Sequence, residues 1–186
     1  MILAIVGYGD PVLRKTGEEI DQNDPHLKEL IKNMWDTMYN ANGVGLAAPQ
    51  LGKSVRVFIV DASTFEEDEP DLANFKKVFI NPIILEEMGK EWSYNEGCLS
   101  IPGIREDVDR KPTITIEYYN EKWELLEETY TGMAARIIQH EYDHIEGKLF
   151  TDHIAPLKRK MLKPRLDKIV RGESKVGYKM KFFNRR

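Results

Sequence analysis

The stretch QHEYDH, residues 139–144, places two histidines four residues apart with a glutamate directly after the first of them. On a helix, residues i and i+4 lie on one face, so His140 and His144 can both reach one metal ion. Glu141 is turned by about 100° from His140 and stands beside the open side of that ion, where it can move protons instead of binding metal. The alternative is a pair of ordinary solvated or core histidines. We favour the metal site, on a helix that covers about residues 131–146.

A third ligand has to come from elsewhere, because catalytic metal sites commonly have three protein ligands and one position open to water. Cys98 lies upstream in the segment EGCLS, residues 96–100. A thiolate is a good ligand for zinc or ferrous iron. Common metallopeptidases with this helix motif take the third ligand from downstream of the second histidine, but the downstream candidates here do not match the spacing of those families. These candidates are Glu146, Asp152, His153, Asp167 and Glu173.

The composition is that of an ordinary globular protein. A chain of 186 residues with 41% hydrophobic content can bury one sizeable core, so we expect a single domain. No apolar run approaches the roughly 20 residues needed to cross a bilayer, and the start MILAIV lacks the basic leader and cleavage site of a signal peptide. The single cysteine cannot form an internal disulfide, which fits a reducing compartment. We therefore expect a cytoplasmic protein with neither a membrane nor a DNA partner.

Local patterns predict an alternation of helices and strands. The first helix is predicted over residues 25–40, with Asp24 as its N-cap and an apolar stripe facing the core. A last helix is predicted over residues 155–171, where Pro156 and Pro164 both suit a first turn. Segments rich in β-branched and aromatic side chains predict strands at residues 55–60, 78–85, 113–119 and 123–130.

Charge is distributed unevenly along the chain. The net charge is −4, but residues 158–186 contain twelve Lys or Arg against two acids and carry +10, which leaves −14 on the rest. Such a tail predicts either an anionic partner such as RNA or a solvated helix face. Residues 65–71 are mostly acidic without an apolar period, and they predict an exposed loop.

Three segments in order resemble the signatures of one enzyme family, the peptide deformylases. They are GVGLAAPQ at residues 43–50, EGCLS at 96–100 and QHEYDH at 139–144. The resemblance spans most of the chain. It implies removal of the formyl group from the N-terminal formylmethionine of nascent polypeptides, with release of formate.

The predicted elements and the resemblance together indicate a single α+β domain over residues 1–186. A mostly antiparallel sheet packs around the central metal-binding helix, and a basic helix and tail occupy about residues 155–186. Two other functions compete with deformylation. One is a metallopeptidase built on the same helix motif. The other is a module with a closed structural metal site, which needs a fourth protein ligand such as His153.

The resemblance also implies the chemical roles at the site. The metal ligands are Cys98, His140 and His144, and Glu141 is the general acid and base. They hold one divalent ion, with ferrous iron expected as the native metal and zinc, nickel or cobalt also accepted. Two donors share the stabilisation of the oxyanion with the metal, and they are the Gln50 side-chain amide and the Leu99 backbone N–H.

Substrate contacts follow from the same resemblance. The peptide pairs like an added strand with the small-residue segment that contains Gly43, Val44 and Gly45. The methionine side chain enters a pocket lined by Met133 and Ile137, which are equally ordinary core positions. Arg105 touches the peptide further along.

Three charged residues near the site have other expected roles. Glu96 is expected to pair with a base such as Arg110 and to hold the cysteine loop. Arg136 is expected to lay its stem along apolar surface at the pocket rim and to keep its charge in water. For the basic tail, the resemblance implies contact with the ribosome.

Overall fold

The fold is built around one antiparallel sheet and the helix that carries the QHEYDH motif. A computed structural model describes residues 1–183, so the end of the predicted basic tail, residues 184–186, lies outside the described residues. The helices and strands, in chain order, are β1 (Ile5–Val6), α1 (Leu27–Asn40), β2 (Gly45–Ala47), β3 (Val57–Asp61), β4 (Lys76–Met88), β5 (Trp92–Cys98), β6 (Ile101–Arg110), β7 (Thr113–Tyr119), β8 (Leu125–Thr131), α2 (Gly132–Ile145), α3 (Pro156–Val170) and β9 (Met180–Lys181).

The main sheet has five strands in the order β2-β3-β4-β7-β8, and each neighbouring pair is antiparallel. Strand β3 is buried on both faces, and its successive side chains point alternately to one face and the other. Phe58 and Val60 pack in the cluster that includes α2, whereas Val57 and Ile59 pack in the cluster that includes α1. The sheet therefore lies between two helices, which confirms the predicted α+β class.

The first helix begins slightly later than predicted. Ile31 and Met34 are buried against the sheet, as the apolar stripe predicts. The helix begins at Leu27 with His26 at its N-cap position, and the Asp24 side chain accepts a hydrogen bond from the backbone N–H of His26 at 2.8 Å. Asp24 thus closes a turn ahead of α1 and is not its N-cap.

The hairpin formed by β5 and β6 is an element that the sequence pattern does not predict. Its pairing runs from Trp92 opposite Arg110 to Cys98 opposite Ile101. Strand β5 consists mostly of polar and small residues between its aromatic ones, and charged side chains interrupt β6, so neither strand contains the apolar run from which strands are predicted. This hairpin brings Cys98 to the motif helix, and the EGCLS segment covers the end of β5 and the tight connection that follows it.

The C-terminal helix α3 covers Pro156–Val170, close to the predicted residues 155–171. Pro156 occupies its first turn, and Pro164 lies inside the helix. The helix packs on β6 and on the loop after α2, and its buried side chains are Leu162, Leu166 and Ile169. Within residues 1–183, no helix combines the length and the apolar character needed to cross a membrane.

The acidic segment does more than the exposed loop that we expected. It connects two short 3₁₀ turns, Ser63–Phe65 and Pro70–Leu72, and Glu69 between them is only partly exposed. The Glu69 carboxylate accepts a hydrogen bond from the backbone N–H of Met133 at 2.9 Å, in the first turn of α2. Gly132 precedes it at φ +57°, and a Cβ there would lie 2.9 Å from the carboxyl carbon of Glu69. Glu69 therefore accepts a hydrogen bond from an otherwise unpaired backbone N–H group at the N-terminus of the motif helix and places a negative charge there.

Candidate metal centre

The three predicted ligands lie together at the junction of α2 and the β5–β6 hairpin. Helix α2 places the rings of His140 and His144 with their centroids 5.2 Å apart, as the i,i+4 spacing requires. The hairpin places Cys98 Sγ 3.3 Å from Nε2 of His144. One ligand atom from each of the three residues lies within 4.8 Å of the others.

The donor set fits a divalent metal ion. One thiolate and two imidazoles suit zinc, ferrous iron, nickel or cobalt, and three ligands leave a position open. Burial lowers the pKa of His144 to about 3, which keeps its imidazole in the neutral form that binds metal. His153, the suggested fourth ligand of a closed site, bonds Asp143 at 2.7 Å and is not one of the three clustered donors.

Glu96 orients His140 from behind. The Nδ1 atom of His140 lies 2.9 Å from Oε2 of Glu96, so Nε2 is left for a metal. Arg110 donates two hydrogen bonds to the same carboxylate at 2.7 and 3.1 Å, which confirms the predicted pairing. Burial acts to raise the pKa of Glu96, but the hydrogen bonds from His140 and Arg110 outweigh it and hold this pKa well below its usual range. Glu96 therefore stays an anion beside the ligand.

The expectation for Arg136 is wrong. Its charge is not in water, because the residue is only 2% exposed and its guanidinium donates to Glu96 at 2.9 Å and to the carbonyl of Val108 at 2.8 Å. The guanidinium also lies 4.3 Å from the ring centroid of Trp92. An anion and aromatic faces replace water around the charge, and Arg136 joins both strands of the hairpin to α2.

Glu141 is buried next to the edge strand β2. A Cβ built on Gly45 would lie 2.8 Å from both Cγ and Cδ of Glu141, so only glycine leaves room for this side chain. Within residues 1–183, its Oε2 atom is buried without a hydrogen-bond partner. Burial raises the pKa of Glu141 to about 7, although the charge of His140 acts in the opposite direction. A carboxyl group with this pKa can both accept and donate a proton near neutral pH.

Gln50 lies on the other side of the thiol. Its Oε1 accepts a hydrogen bond from the backbone N–H of Ala47 at 2.9 Å, which fixes the orientation of the amide. Its Nε2 then lies 3.5 Å from Cys98 Sγ and 3.2 Å from Oγ of Ser100. Ser100 is fully buried and was not among the predicted site residues, although it belongs to the EGCLS segment. Leu99 lies between Cys98 and Ser100 in the connection of the hairpin.

A cleft of about 610 Å³ opens over these groups. Met133 and Ile137 are both pocket and core residues, since they line the cleft and also pack in the apolar cluster that contains Phe58 and Val60. Arg105 is exposed at the cleft, and its Nε donates to the side chain of Asn95 at 2.9 Å. Lys175, Val176 and Tyr178 from the segment after α3 also line the cleft, although they are not among the predicted site residues. The six predicted substrate-binding residues all line the cleft, and they are Gly43, Val44, Gly45, Arg105, Met133 and Ile137.

This arrangement defines a class of protein. A motif helix supplies two imidazoles and a buried carboxyl group, a hairpin supplies a thiol, and an edge strand borders an apolar cleft. Such a site is that of a metal-dependent hydrolase that acts on an extended, peptide-like substrate.

Comparisons with known proteins identify the family. A family model for polypeptide deformylase matches residues 2–160. The peptide deformylase of Christiangramia forsetii is 58% identical over 99% of this chain and 97% of its own length. The crystal structure of a peptide deformylase from Legionella pneumophila is 39% identical, with a TM-score of 0.81 over 93% of this chain and 98% of that one. The chain belongs to the peptide deformylase family.

Members of this family are metal-dependent enzymes that remove the N-formyl group from nascent polypeptides, and this is the activity of the chain. The metallopeptidase alternative is therefore wrong. Its third ligand would lie downstream of His144, whereas the described structure clusters the upstream Cys98 with the two histidines.

Proposed function

We propose that Cys98, His140 and His144 hold one divalent metal ion for deformylation. The convergence of their ligand atoms within 4.8 Å carries this assignment. When bound, such an ion polarises a carbonyl oxygen and lowers the pKa of water. The Glu96 carboxylate keeps the ring of His140 oriented, and Arg110 and Arg136 keep that carboxylate in place.

Glu141 is the general base and then the general acid. It takes the proton of the attacking water and passes it to the nitrogen that leaves as the free amine. Its pKa of about 7 suits both transfers, because neither protonation state is strongly disfavoured near neutral pH. The formyl carbon leaves as formate.

Gln50 and Leu99 stabilise the negative charge that develops on the formyl oxygen. The side-chain amide of Gln50 is held by Ala47 before substrate arrives, so it needs no reorganisation during the reaction. The backbone N–H of Leu99 is the second donor, next to the thiol ligand Cys98. Donors fixed in this way act mainly on the transition state.

The peptide binds along the edge of the sheet. Strand β2 is the edge strand, and it follows Gly43 and Val44, which line the cleft. A substrate that adds as a strand here gains backbone hydrogen bonds irrespective of its sequence. The methionine side chain enters the apolar part of the cleft between Met133 and Ile137, and Arg105 contacts the peptide beyond it.

The native metal is proposed to be ferrous iron, with zinc, nickel and cobalt as substitutes. A site with one thiolate and two imidazoles accepts all four, so the metal in the cell depends on supply as well as on affinity. Anaerobic purification followed by metal analysis tests this. Zinc as the dominant metal in protein isolated without exposure to oxygen would contradict iron.

The basic C-terminal region is proposed to contact ribosomal RNA, and the proposed location is accordingly the cytoplasm. Arg159 and Lys160 are exposed on α3, where phosphate attraction needs little sequence readout. Charge reversal at both positions should reduce co-sedimentation with ribosomes at low salt. Equal co-sedimentation of the variant and the wild type would instead indicate that these residues form an ordinary solvated helix face.

The decisive experiment measures formate release from a formyl-Met peptide. The wild type, Cys98→Ala, Glu141→Ala and His153→Ala are purified anaerobically, and their metal content is measured alongside. We expect Cys98→Ala to lose metal and activity, and Glu141→Ala to lose activity while it keeps metal. His153→Ala should keep its metal, since His153 is outside the ligand cluster. Full activity in Glu141→Ala, or full metal content in Cys98→Ala, would overturn the assigned roles.

A further inference from the structure

The segment after α3 returns to the active site. The family match ends at residue 160, so this segment lies beyond the matched part of the chain. It ends in β9, which pairs in parallel with β1. The carbonyl of Lys181 in β9 accepts a hydrogen bond from the N–H of Gly7 at 2.9 Å. Phe182 is buried in the apolar cluster that also contains Leu166 and Ile169 of α3, and it fixes this end of the segment. The part between α3 and β9 lines the cleft.

Tyr178 is the residue of this segment that reaches the turn between β5 and β6, which consists of Leu99 and Ser100. Its hydroxyl donates a hydrogen bond to the backbone carbonyl of Leu99 at 2.6 Å. Its ring packs in the same cluster as the Leu99 side chain. A tyrosine hydroxyl is protonated near neutral pH, so it is the donor of this hydrogen bond.

The turn is held at several successive atoms. The carbonyl of Ser100 accepts a hydrogen bond from the N–H of Tyr8 at 2.8 Å, and Oγ of Ser100 contacts Nε2 of Gln50 at 3.2 Å. The carbonyl of Leu99 is held by Tyr178. The N–H and the carbonyl of Leu99 are joined through one Cα, so a restraint on the carbonyl limits rotation of the residue and with it the direction of its N–H.

We propose that Tyr178 is a positioning residue for deformylation, whose hydroxyl holds the Leu99 carbonyl so that the Leu99 N–H stays directed at the developing oxyanion. This inference rests on the proposed role of Leu99. A donor that is fixed before the reaction lowers the barrier more than one that must be reoriented. The effect of Tyr178 therefore falls on kcat more than on KM.

The test compares Tyr178→Phe with the wild type as metal-loaded enzyme. Tyr178→Phe removes only the hydroxyl, and we expect kcat to fall roughly three- to ten-fold, the effect of one neutral hydrogen bond, with KM changed less than about two-fold. Metal content should stay the same. Amide hydrogen exchange should become faster in the peptide that spans residues 96–101. Tyr130→Phe is the matched control, because it removes a partly buried hydroxyl bonded to Glu128 on β8 and should leave kcat and this exchange unchanged.

Two results would overturn the proposal. One is an unchanged kcat together with unchanged exchange in residues 96–101. The other is a loss of metal that accounts for the loss of activity, since Tyr178 would then act through Cys98. A failure of the proposed catalytic role of Leu99 gives a different result. If the Leu99 N–H has no catalytic role, exchange in Tyr178→Phe still becomes faster while kcat does not change.

Discussion

At the scale of single residues, the site depends on close contacts that join distant parts of the chain. Glu141 is accommodated because Gly45, almost a hundred residues earlier, lacks a side chain. Arg136 shows the limit of local reasoning, since its burial depends on Glu96 and on carbonyls of the hairpin. A sequence pattern describes which residues share a helix face, but it does not describe what packs against that face.

Substitution of Gly45 tests the packing of Glu141. The Cβ of Gly45→Ala would lie 2.8 Å from Cγ and Cδ of Glu141, so the Glu141 side chain must move away from its observed position. We expect kcat/KM for a formyl-Met peptide to fall by about a hundred-fold, at the lower end of what general acid–base catalysis contributes. Metal content should be unchanged. An active Gly45→Ala would contradict the assignment of Glu141.

At the scale of elements, helices and apolar strands could be predicted, whereas the β5–β6 hairpin could not. Helix α2 could be predicted from its own residues, which include the QHEYDH motif. Strand β5 is mostly polar and β6 carries irregularly spaced charges, and the stability of the hairpin comes from pairing and from packing on α2 and α3. Partners that are distant in sequence also stabilise the ends of elements, as Glu69 does at α2.

Removal of the Glu69 carboxylate should destabilise the start of α2. Glu69→Ala leaves the N–H of Met133 without its acceptor and removes a negative charge from a helix N-terminus. We expect the free energy of unfolding in urea to fall by about 1 kcal/mol. Glu67→Ala, in the exposed part of the same segment, should change it by less than about 0.5 kcal/mol. Equal effects of the two substitutions would show that Glu69 does not act as a cap.

Strand β8 should make stability depend on pH through Glu128. Burial acts to raise the pKa of Glu128, but hydrogen bonds from Tyr118, Tyr130 and Lys77 outweigh it, and the pKa lies below its ordinary value of 4.5. A pKa that is lower in the folded state stabilises the fold above about pH 4.5, and this stabilisation is lost as the pH falls through the folded pKa. The gap in unfolding free energy between wild type and Glu128→Gln should therefore narrow from pH 7 to pH 3. A gap that stays constant would count against this ionisation.

At the scale of the whole molecule, the proposed metal site adds a further link between two elements that already meet through packing and through the ion pairs of Glu96. Cys98 belongs to the hairpin, and His140 and His144 belong to α2. An ion bound to all three links two elements in the folded state, but it has no such site in the unfolded chain. The metal is therefore expected to stabilise the fold as well as to act in catalysis.

Removal of the metal should lower the thermal unfolding midpoint. Binding to the folded state stabilises it by about 3 kcal/mol when the free metal is in hundred-fold excess over Kd. We expect a chelator to lower the midpoint of the wild type, and the midpoint of Cys98→Ala to respond much less. Differential scanning calorimetry with and without added metal measures both. A wild-type midpoint that does not respond to the chelator would contradict a metal that joins the hairpin to α2.

The motif helix, the apolar faces and the three ordered segments that resemble peptide deformylases can be predicted from the sequence, because each depends on residues close together in the chain. The meeting of Cys98 with His140 and His144, the need for glycine at position 45, the pairing of Arg136 with Glu96 and the bond from Tyr178 to Leu99 become visible only in the folded molecule. These contacts join residues separated by tens of positions. Their distances depend on the pairing and packing of whole elements, which no local pattern contains.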